Sequence, residues 1–459
     1  MLDHANIAVL DLTHAGIIIA EKFVGLGFNV TAIDAYRTVN RNVLKRLESD
    51  YGIKTSKDPV PVDEFDIIVS PVHLDPGYAM LSDARKKDIE IMTHHKAVGI
   101  ILSMTGSLDD STVIEVTGSK AKTSSASLLA EMLSRKMKVI LHTSRGLELW
   151  EQGYSRVVHL GLSIAPGSVL LAVDRLDELG IAADCYIFEV SIGLTGFADV
   201  GIITTLEPDY MIAASTSTSS DSKVTVLSDG KPDEVFFLNA RDRKALEKSK
   251  KNNRTFFTFS DSEGRDADLQ VHFEDDMANT LVLKHRNGSF SSVLSPCYNS
   301  RSYVTAFAAS GSVAMWMGVS EKDISSVIGS FEGLQGRMQE KELSGRKLID
   351  NSNSGMDILS VERSFDYALS KRVAGCGRVI LVLGEEAAQV CEGLPPEDVS
   401  EFVRRRGADI GQLVLVGERM RELDQDNVVF APGLEVGLKM ALEVSSQKDI
   451  ILSCVKCFR

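Results

Sequence analysis

Between Val113 and Ser124 the chain reads Val-Ile-Glu-Val-Thr-Gly-Ser-Lys-Ala-Lys-Thr-Ser. The β-branched run Val113, Ile114 and Val116 stops at Thr117-Gly118. Leu128, Leu129, Met132 and Leu133 then recur on one face of a helix. Gly118, Ser119, Lys120, Ala121, Lys122, Thr123 and Ser124 therefore form a tight loop that opens a helix. Backbone N–H groups and the helix dipole favour phosphate at such an entrance. Lys122 adds a mobile positive charge, and the Thr123 hydroxyl suits Mg²⁺. A general phosphate loop carries glycine directly before its lysine and again five residues earlier; Ala121 and Val116 stand there instead. Alanine at 121 is expected to keep the backbone out of positive φ. The same residues also fit an ordinary strand–helix turn with a surface lysine, so other segments have to decide.

Glu189 lies inside the apolar stretch Tyr186-Ile-Phe-Glu-Val190. A buried carboxylate without a partner is costly, so Glu189 calls for a cation or donors. Mg²⁺ is the natural partner at a strand end beside a phosphate loop; the alternative is a glutamate on the solvated face of an edge strand. The segment Phe331 to Gln339 is a turn carrying Arg337, and the strand after it ends in Asp350-Asn351-Ser352. An arginine at a domain hinge can reach a transferring phosphoryl group, although a Gly-Arg pair also serves as a plain surface turn. His14, His73, His94 and His95 all lie early in the chain. Each fits a surface or core role, and His14 is the best placed of them for a ligand, in the first strand–helix turn. Cys454-Val-Lys-Cys457 has metal or redox spacing without a second pair.

These residues need elements to hold them. A chain of 459 residues is too long for one core, so two to four domains are expected. Residues 1–107 read as a first α/β unit, with strands at Ile7–Asp11, Asn29–Asp34, Phe65–Ser70 and Val98–Leu102. Its first turn lacks the glycines of a dinucleotide fingerprint, which argues against NAD. Residues 108–340 form a second unit, in which the polar stretch Ser215 to Ser222 reads as a mobile loop. Residues 341–459 form a third, again alternating strand and helix. Alternation of this kind implies parallel sheets. The 64 acidic residues against 50 basic ones leave a net charge of -14, which argues against non-specific binding to nucleic acid except at a local basic patch; the basic run Lys248 to Arg254 reads as a solvated loop. No apolar run reaches the length of a membrane span, and six scattered cysteines do not make a disulfide framework, so a cytoplasmic protein is expected.

In their order the motifs resemble the Mur ligase family of ATP-dependent acid ligases. The carrying segments are Val-Thr-Gly-Ser-Lys-Ala-Lys-Thr-Ser (family form Gly-Thr-Asn-Gly-Lys-Thr-Thr) and Phe188-Glu189-Val-Ser. Thr204-Thr-Leu-Glu-Pro-Asp209-Tyr210, Leu238-Asn239-Ala-Arg-Asp242 and Pro296-Cys-Tyr-Asn299 follow. Gly336-Arg337-Met and Asp350-Asn351-Ser352 complete the set. The resemblance implies three domains: a Rossmann-like substrate domain, a central P-loop ATPase and a Rossmann-like lid. It also implies that Lys122 holds the β- and γ-phosphates of ATP, and that Thr123 and Glu189 bind Mg²⁺. Asn239 and Asn299 would lie near the adenine, Arg337 would reach the γ-phosphate, and Asp350 would meet the ribose. Lys223 falls near the position where the family often carries a carbamylated lysine.

Three departures stand out. Asp209-Tyr210 replaces the family's Asp-His, Thr205 stands where Asn is usual, and no Asp-Asn-Pro-Arg motif for diaminopimelate is present. Together with Met92-Thr-His94-His95-Lys-Ala-Val-Gly, the loop most resembles the coenzyme F430 synthetase branch of the family in methanogenic archaea. That branch implies activation of a propionate of a nickel tetrapyrrole as an acyl phosphate, followed by closure of a carbocycle. Two other functions fit the same residues: an amide ligase joining an amino acid to an acid, and a non-catalytic nucleotide-binding protein whose phosphate loop has decayed.

Overall fold

The computed structural model describes residues 5–262, 264–274, 279–372, 377–386, 394–423 and 428–457. The chain divides into two compact units. One comprises residues 1–272, 282–291 and 304–327; the other comprises 273–281, 292–303 and 328–459.

The first unit opens with a five-stranded parallel sheet. Its spatial order is Lys54–Ser56, Asn29–Ile33, Asn6–Leu10, Ile67–Ser70 and Glu90–Thr93. The order reverses between Asn6–Leu10 and Ile67–Ser70, which is the switch point where open α/β sheets bind ligands. The apolar run Val98 to Leu102, expected as a strand, lies instead in the helix His94–Thr105, capped by the Thr93 side chain on Lys96 N. A short apolar run satisfies a buried helix as well as a strand, and here the cap decides.

The central sheet is built on the parallel strands Thr112–Thr117, Val139–Thr143, Cys185–Glu189, Val200–Ile203, Val235–Asn239 and Phe256–Ser260. Thr112–Thr117 lies between Cys185–Glu189 and Val200–Ile203, and Val235–Asn239 follows the latter. An antiparallel hairpin, Gly146–Glu151 with Tyr154–His159, extends one edge. Ile18, Ile19 and Phe23 of the helix Ile17–Gly25 share one core with Val169, Ala172 and Val173 of the helix Gly167–Glu178. At about 1.5–3 kcal/mol per buried large aliphatic side chain, this shared core ties the two sheets of the unit together.

Two polar segments fold differently from expectation. Residues 217–223 are ordered: Ser217–Thr218 pairs with Met211–Ile212, and Ser219–Lys223 is a helix with a Thr218/Asp221 capping box. Hydroxyls that would suit a loop are used here as caps. Lys248 to Lys251 are the end of the helix Arg243–Lys251, and Arg254, just beyond it, donates through its guanidinium to the carbonyls of Leu227, Gly230 and Lys231.

The second unit carries a six-stranded sheet in the order Gln339–Leu343, Arg346–Asp350, Ile450–Lys456, Val379–Glu385, Ile410–Val416 and Val428–Ala431, parallel apart from the first strand. Cys454 and Cys457 are both buried free thiols, packed in two different apolar clusters of this sheet; Cys376 and Cys391 lie outside the described residues. No helix among the described residues is long and apolar enough to cross a membrane.

Glu115, fully buried in the strand that feeds the phosphate loop, accepts from Thr195 N at 2.7 Å and from Thr195 Oγ1. Burial pushes its carboxyl up to about 7, and the Thr195 donors only partly oppose this. Glu234, also buried, is pushed well up by burial and then by Glu115. A carboxyl raised in the folded chain contributes stability that is complete below its ordinary value of 4.5 and lost as pH rises through about 7. Glu115→Gln keeps an acceptor for Thr195 N and removes this titration. Across that window the parent protein should lose up to a few kcal/mol relative to the variant. Thermal midpoints against pH would measure it, and parallel curves would contradict the assignment.

Candidate active site

Parallel register assembles the site at the carboxyl edge of the central sheet. Glu189 pairs with Val116, and Ile203 pairs with both Thr117 and Leu238, so the loops after four strands start side by side. The loop after Thr117 passes very close to its neighbour. Gly118 has φ 145°, and a Cβ there would lie 2.0 Å from Thr204 Oγ1, so no side chain fits. Ser119 N donates to Thr205 O at 2.7 Å, Ser119 Oγ donates to Leu206 O at 3.1 Å, and Thr204 Oγ1 donates to Lys120 O at 2.6 Å.

Ala121 adopts φ 66°, ψ 0°, in the left-handed region, contrary to the expectation from its side chain. This turn directs the chain into the helix Lys122–Ser134, and Ala121 O accepts from Ser125 N at 2.9 Å to start it. A methyl group is small enough to tolerate the conformation at about 1–2 kcal/mol. Lys122 Nζ donates to Gly118 O at 3.0 Å, and Ser124 is buried in the first helical turn.

Thr123 and Glu189 meet. Both are 2% exposed, and Thr123 Oγ1 donates to Glu189 Oε2 at 2.7 Å. Ser144 N donates to the same carboxylate oxygen at 3.2 Å. Glu189 is thus not on a solvated edge; it sits at the end of a strand flanked by two other parallel strands, with one hydroxyl and one amide donating to its carboxylate. Ser144, in the turn after Val139–Thr143, carries no signal in the sequence.

Lys223, 1% exposed, comes to the same loop. Its Nζ donates to Ser119 Oγ at 3.0 Å and Ser219 Oγ at 2.8 Å, and it lies 5.1 Å from the centre of the Tyr210 ring. Tyr210, which replaces the histidine of the family's Asp-His pair, therefore faces Lys223. Burial would raise Asp209, yet donors from Ser220, Ser219 and Tyr210 N carry it down to about 2. On the far side, Asn239 Nδ2 donates to Thr204 O at 3.2 Å and Asp261 Oδ2 at 3.3 Å, and Arg241 pairs with Asp261 at 3.2 Å. Asp261, missed in the sequence, also accepts from Thr305.

His94 and His95 back the site structurally. His94 Nε2 lies 2.9 Å from Leu10 O and His95 Nε2 lies 2.8 Å from Ser191 O, just after Glu189. Burial holds both imidazoles down to about 4, hence neutral.

The other three expected residues belong to the second unit. Asn299 N donates to Met338 O at 3.0 Å, and Tyr303 Oη donates to Arg337 O at 2.6 Å, so both flank the arginine turn. Gly336 has φ 71°, and its missing Cβ leaves room for Ser352 O. Asn353 Nδ2 donates to Gly336 O at 2.8 Å, while the buried Asp350 accepts from Ser352 N at 3.2 Å. Arg337, Asn299 and Asp350 are thus mounted on one packed corner of that unit.

A parallel sheet with a strand–loop–helix lysine and a facing glutamate, in a chain that carries further α/β sheets, is the architecture of a Mur-type ligase. Residues 116–310 match the Mur ligase middle domain, and residues 340–457 match the coenzyme F430 synthetase CfbE, C-terminal domain. The coenzyme F(430) synthetase of Methanosarcina acetivorans is 49% identical over 466 aligned positions, covering 99% of each chain. The chain belongs to the coenzyme F430 synthetase family. Among solved structures, MurF from Acinetobacter baumannii superposes with a TM-score of 0.59 at 15% identity, covering 98% of this chain and 90% of that one. MurF from Thermotoga maritima in complex with ADP gives 0.56 at 14%, covering 86% and 92%. These likenesses concern the fold.

The Ala121 geometry is testable on the protein itself. Ala121→Gly should leave the thermal midpoint equal or higher, because glycine takes φ 66° without strain. Ala121→Val should lower it clearly, because a β-branched side chain resists that region. Equal midpoints for the two variants would contradict the left-handed turn.

Proposed function

We propose that the protein uses ATP to activate a propionate carboxylate of a nickel tetrapyrrole as an acyl phosphate, and that a carbon nucleophile of the same molecule then closes a six-membered carbocycle. The observation that carries the ATP-dependent step is the buried meeting of Thr123 and Glu189 beside Lys122. The tetrapyrrole comes from membership of the F430 synthetase family.

In this proposal the boundaries are 1–107 for a substrate domain, 108–340 for the ATPase and 341–459 for a lid. Gly118 to Ser124 wrap the phosphates with loop and helix amides. Lys122 moves from Gly118 O to the β- and γ-phosphates. Thr123 and Glu189 fit Mg²⁺, since both offer hard oxygens within one hydrogen-bond length. The ion would supply neutralisation of phosphate charge. Asn239 and Asn299 lie near the adenine, Asp350 near the ribose, and Arg337 near the γ-phosphate.

The carboxylate oxygen attacks the γ-phosphoryl group, ADP leaves, and a C–O–P linkage forms. The carbon nucleophile, having given up its proton, attacks the acyl carbon and expels inorganic phosphate. The residues named here position reactants and stabilise charge, which is most of what phosphoryl transfer requires. Water has to be kept out, because it would hydrolyse the acyl phosphate. The assembly of Lys122, Thr123 and Glu189 supports a working loop over a decayed one.

ADP release by the full chain with Mg-ATP tests this, with and without the nickel seco-precursor and beside a panel of amino acids. Release that needs the tetrapyrrole alone, with a change in its visible spectrum, is expected. Release that needs an amino acid would move the protein to the amide ligases. Lys122→Ala should lower tetrapyrrole-dependent release at least about a hundredfold with an unchanged melting midpoint. Normal turnover in that variant would remove the assignment of the loop.

A further inference from the structure

A second cluster of chemically competent side chains stands at the carboxyl edge of the first sheet. Asp11 directly follows the strand Asn6–Leu10, and His73 follows Ile67–Ser70. These are the two strands between which the sheet order reverses, so both residues enter the crevice where such sheets take ligands. His14 lies one turn beyond Asp11. His14 Nδ1 is 2.8 Å from Asp11 Oδ2, His73 Nε2 is 3.6 Å from the same oxygen, and one potential ligand atom from each residue lies within 4.8 Å of the others. Metal bonds of ~2.0–2.1 Å at tetrahedral or octahedral angles set neighbouring donors ~2.8–3.4 Å apart, so these spacings need little adjustment.

Asp11 is fully buried, held at φ 64°, and fixed by Thr13 N at 2.9 Å on its other oxygen. His73 Nε2 is buried and has no partner at hydrogen-bond distance among the described residues. The two imidazoles are about one-third exposed and lie edge to face at 5.0 Å, with Tyr36 stacked on His73 at 6.3 Å. The rings are therefore partly open to solvent, while His73 Nε2 itself faces inward toward Asp11. Two imidazoles with a single carboxylate favour nickel, zinc or cobalt over magnesium or calcium.

We propose that Asp11, His14 and His73 form a nitrogen-rich site for divalent nickel, with imidazole nitrogen as the ligand. The nickel can arrive as a free ion or as the centre of the tetrapyrrole, and the second source rests on the function proposed above. As an axial ligand, imidazole would hold the macrocycle at the switch-point crevice without any bond being made or broken in the organic framework.

Two binding measurements on the full chain without ATP separate the sources: calorimetric titration with Ni²⁺, with Mg²⁺ as control, and the visible spectrum of the nickel precursor on addition of protein. His14→Ala and His73→Ala are compared with the parent, with melting midpoints to confirm folding and His73→Gln as a milder variant. At least about a tenfold loss of Ni²⁺ affinity in the variants supports an ion site. Loss of the spectral shift supports axial ligation of the substrate. Parent-like behaviour of folded variants in both measurements overturns the proposal, even if tetrapyrrole-dependent ADP release persists and the proposed function stands. Loss of Ni²⁺ binding in a protein that shows no such release would keep the site and remove the proposed function.

Discussion

The contact between Thr123 and Glu189 depends on sheet register more than on either residue. Glu189 ends one strand, Thr123 opens a helix after the next, and parallel pairing of Glu189 with Val116 brings the two ends level. A shift of one residue would turn Glu189 to the opposite face. The large apolar side chains of these strands, buried on both faces, hold that register in place. Function at the edge is therefore secured by packing within the sheet.

The loop above the register is held by close backbone approach. Gly118 has no room for a Cβ, and Ser119 and Lys120 are bonded to Thr205 and Thr204 on the adjacent strand's exit. Once the loop is pinned there, the left-handed turn at Ala121 is the way left for the chain to enter the helix. Its modest strain is outweighed by these bonds and by burial of the helix. The loop then supplies Ser119 as an acceptor to Lys223, which links the phosphate loop to the short capped helix Ser219–Lys223. Tyr210 occupies the flank of that lysine, so the aromatic ring that replaces the histidine of the family's Asp-His pair packs against a buried cation.

Much of this was legible in the sequence because it depended on local order. The strand, loop and helix around Lys122, the strand carrying Glu189 and the alternation that yields parallel sheets all leave periodic signals. What stayed hidden depended on partners distant in the chain. Val98 to Leu102 has no periodicity to separate helix from strand, and only the cap at Thr93 decides. Ser215 to Ser222 looked like a loop because serine and threonine satisfy either caps or water, and Asp209 is what recruits them. Ala121 was misjudged because side-chain preference was weighed without the bonds that hold its neighbours. Glu115 could have been found: it interrupts an apolar strand as Glu189 does, and the same cost of burial applies to it.

The histidines show how far residue type alone can mislead. His94 and His95 are adjacent and helical, and sequence proximity suggests a joint role. Their rings instead point to Leu10 and Ser191, two carbonyls on different elements, and burial keeps them neutral. His14 and His73 are far apart in the chain and come within 5.0 Å because the sheet reverses its order between their strands. A buried imidazole with a carbonyl partner has its hydrogen bond made and can be purely structural. Two partly exposed imidazoles around one buried carboxylate, at a switch point, remain able to bind something else. The same residue type thus serves as a tether on the helix and as a candidate ligand at the crevice, and topology is what distinguishes the two.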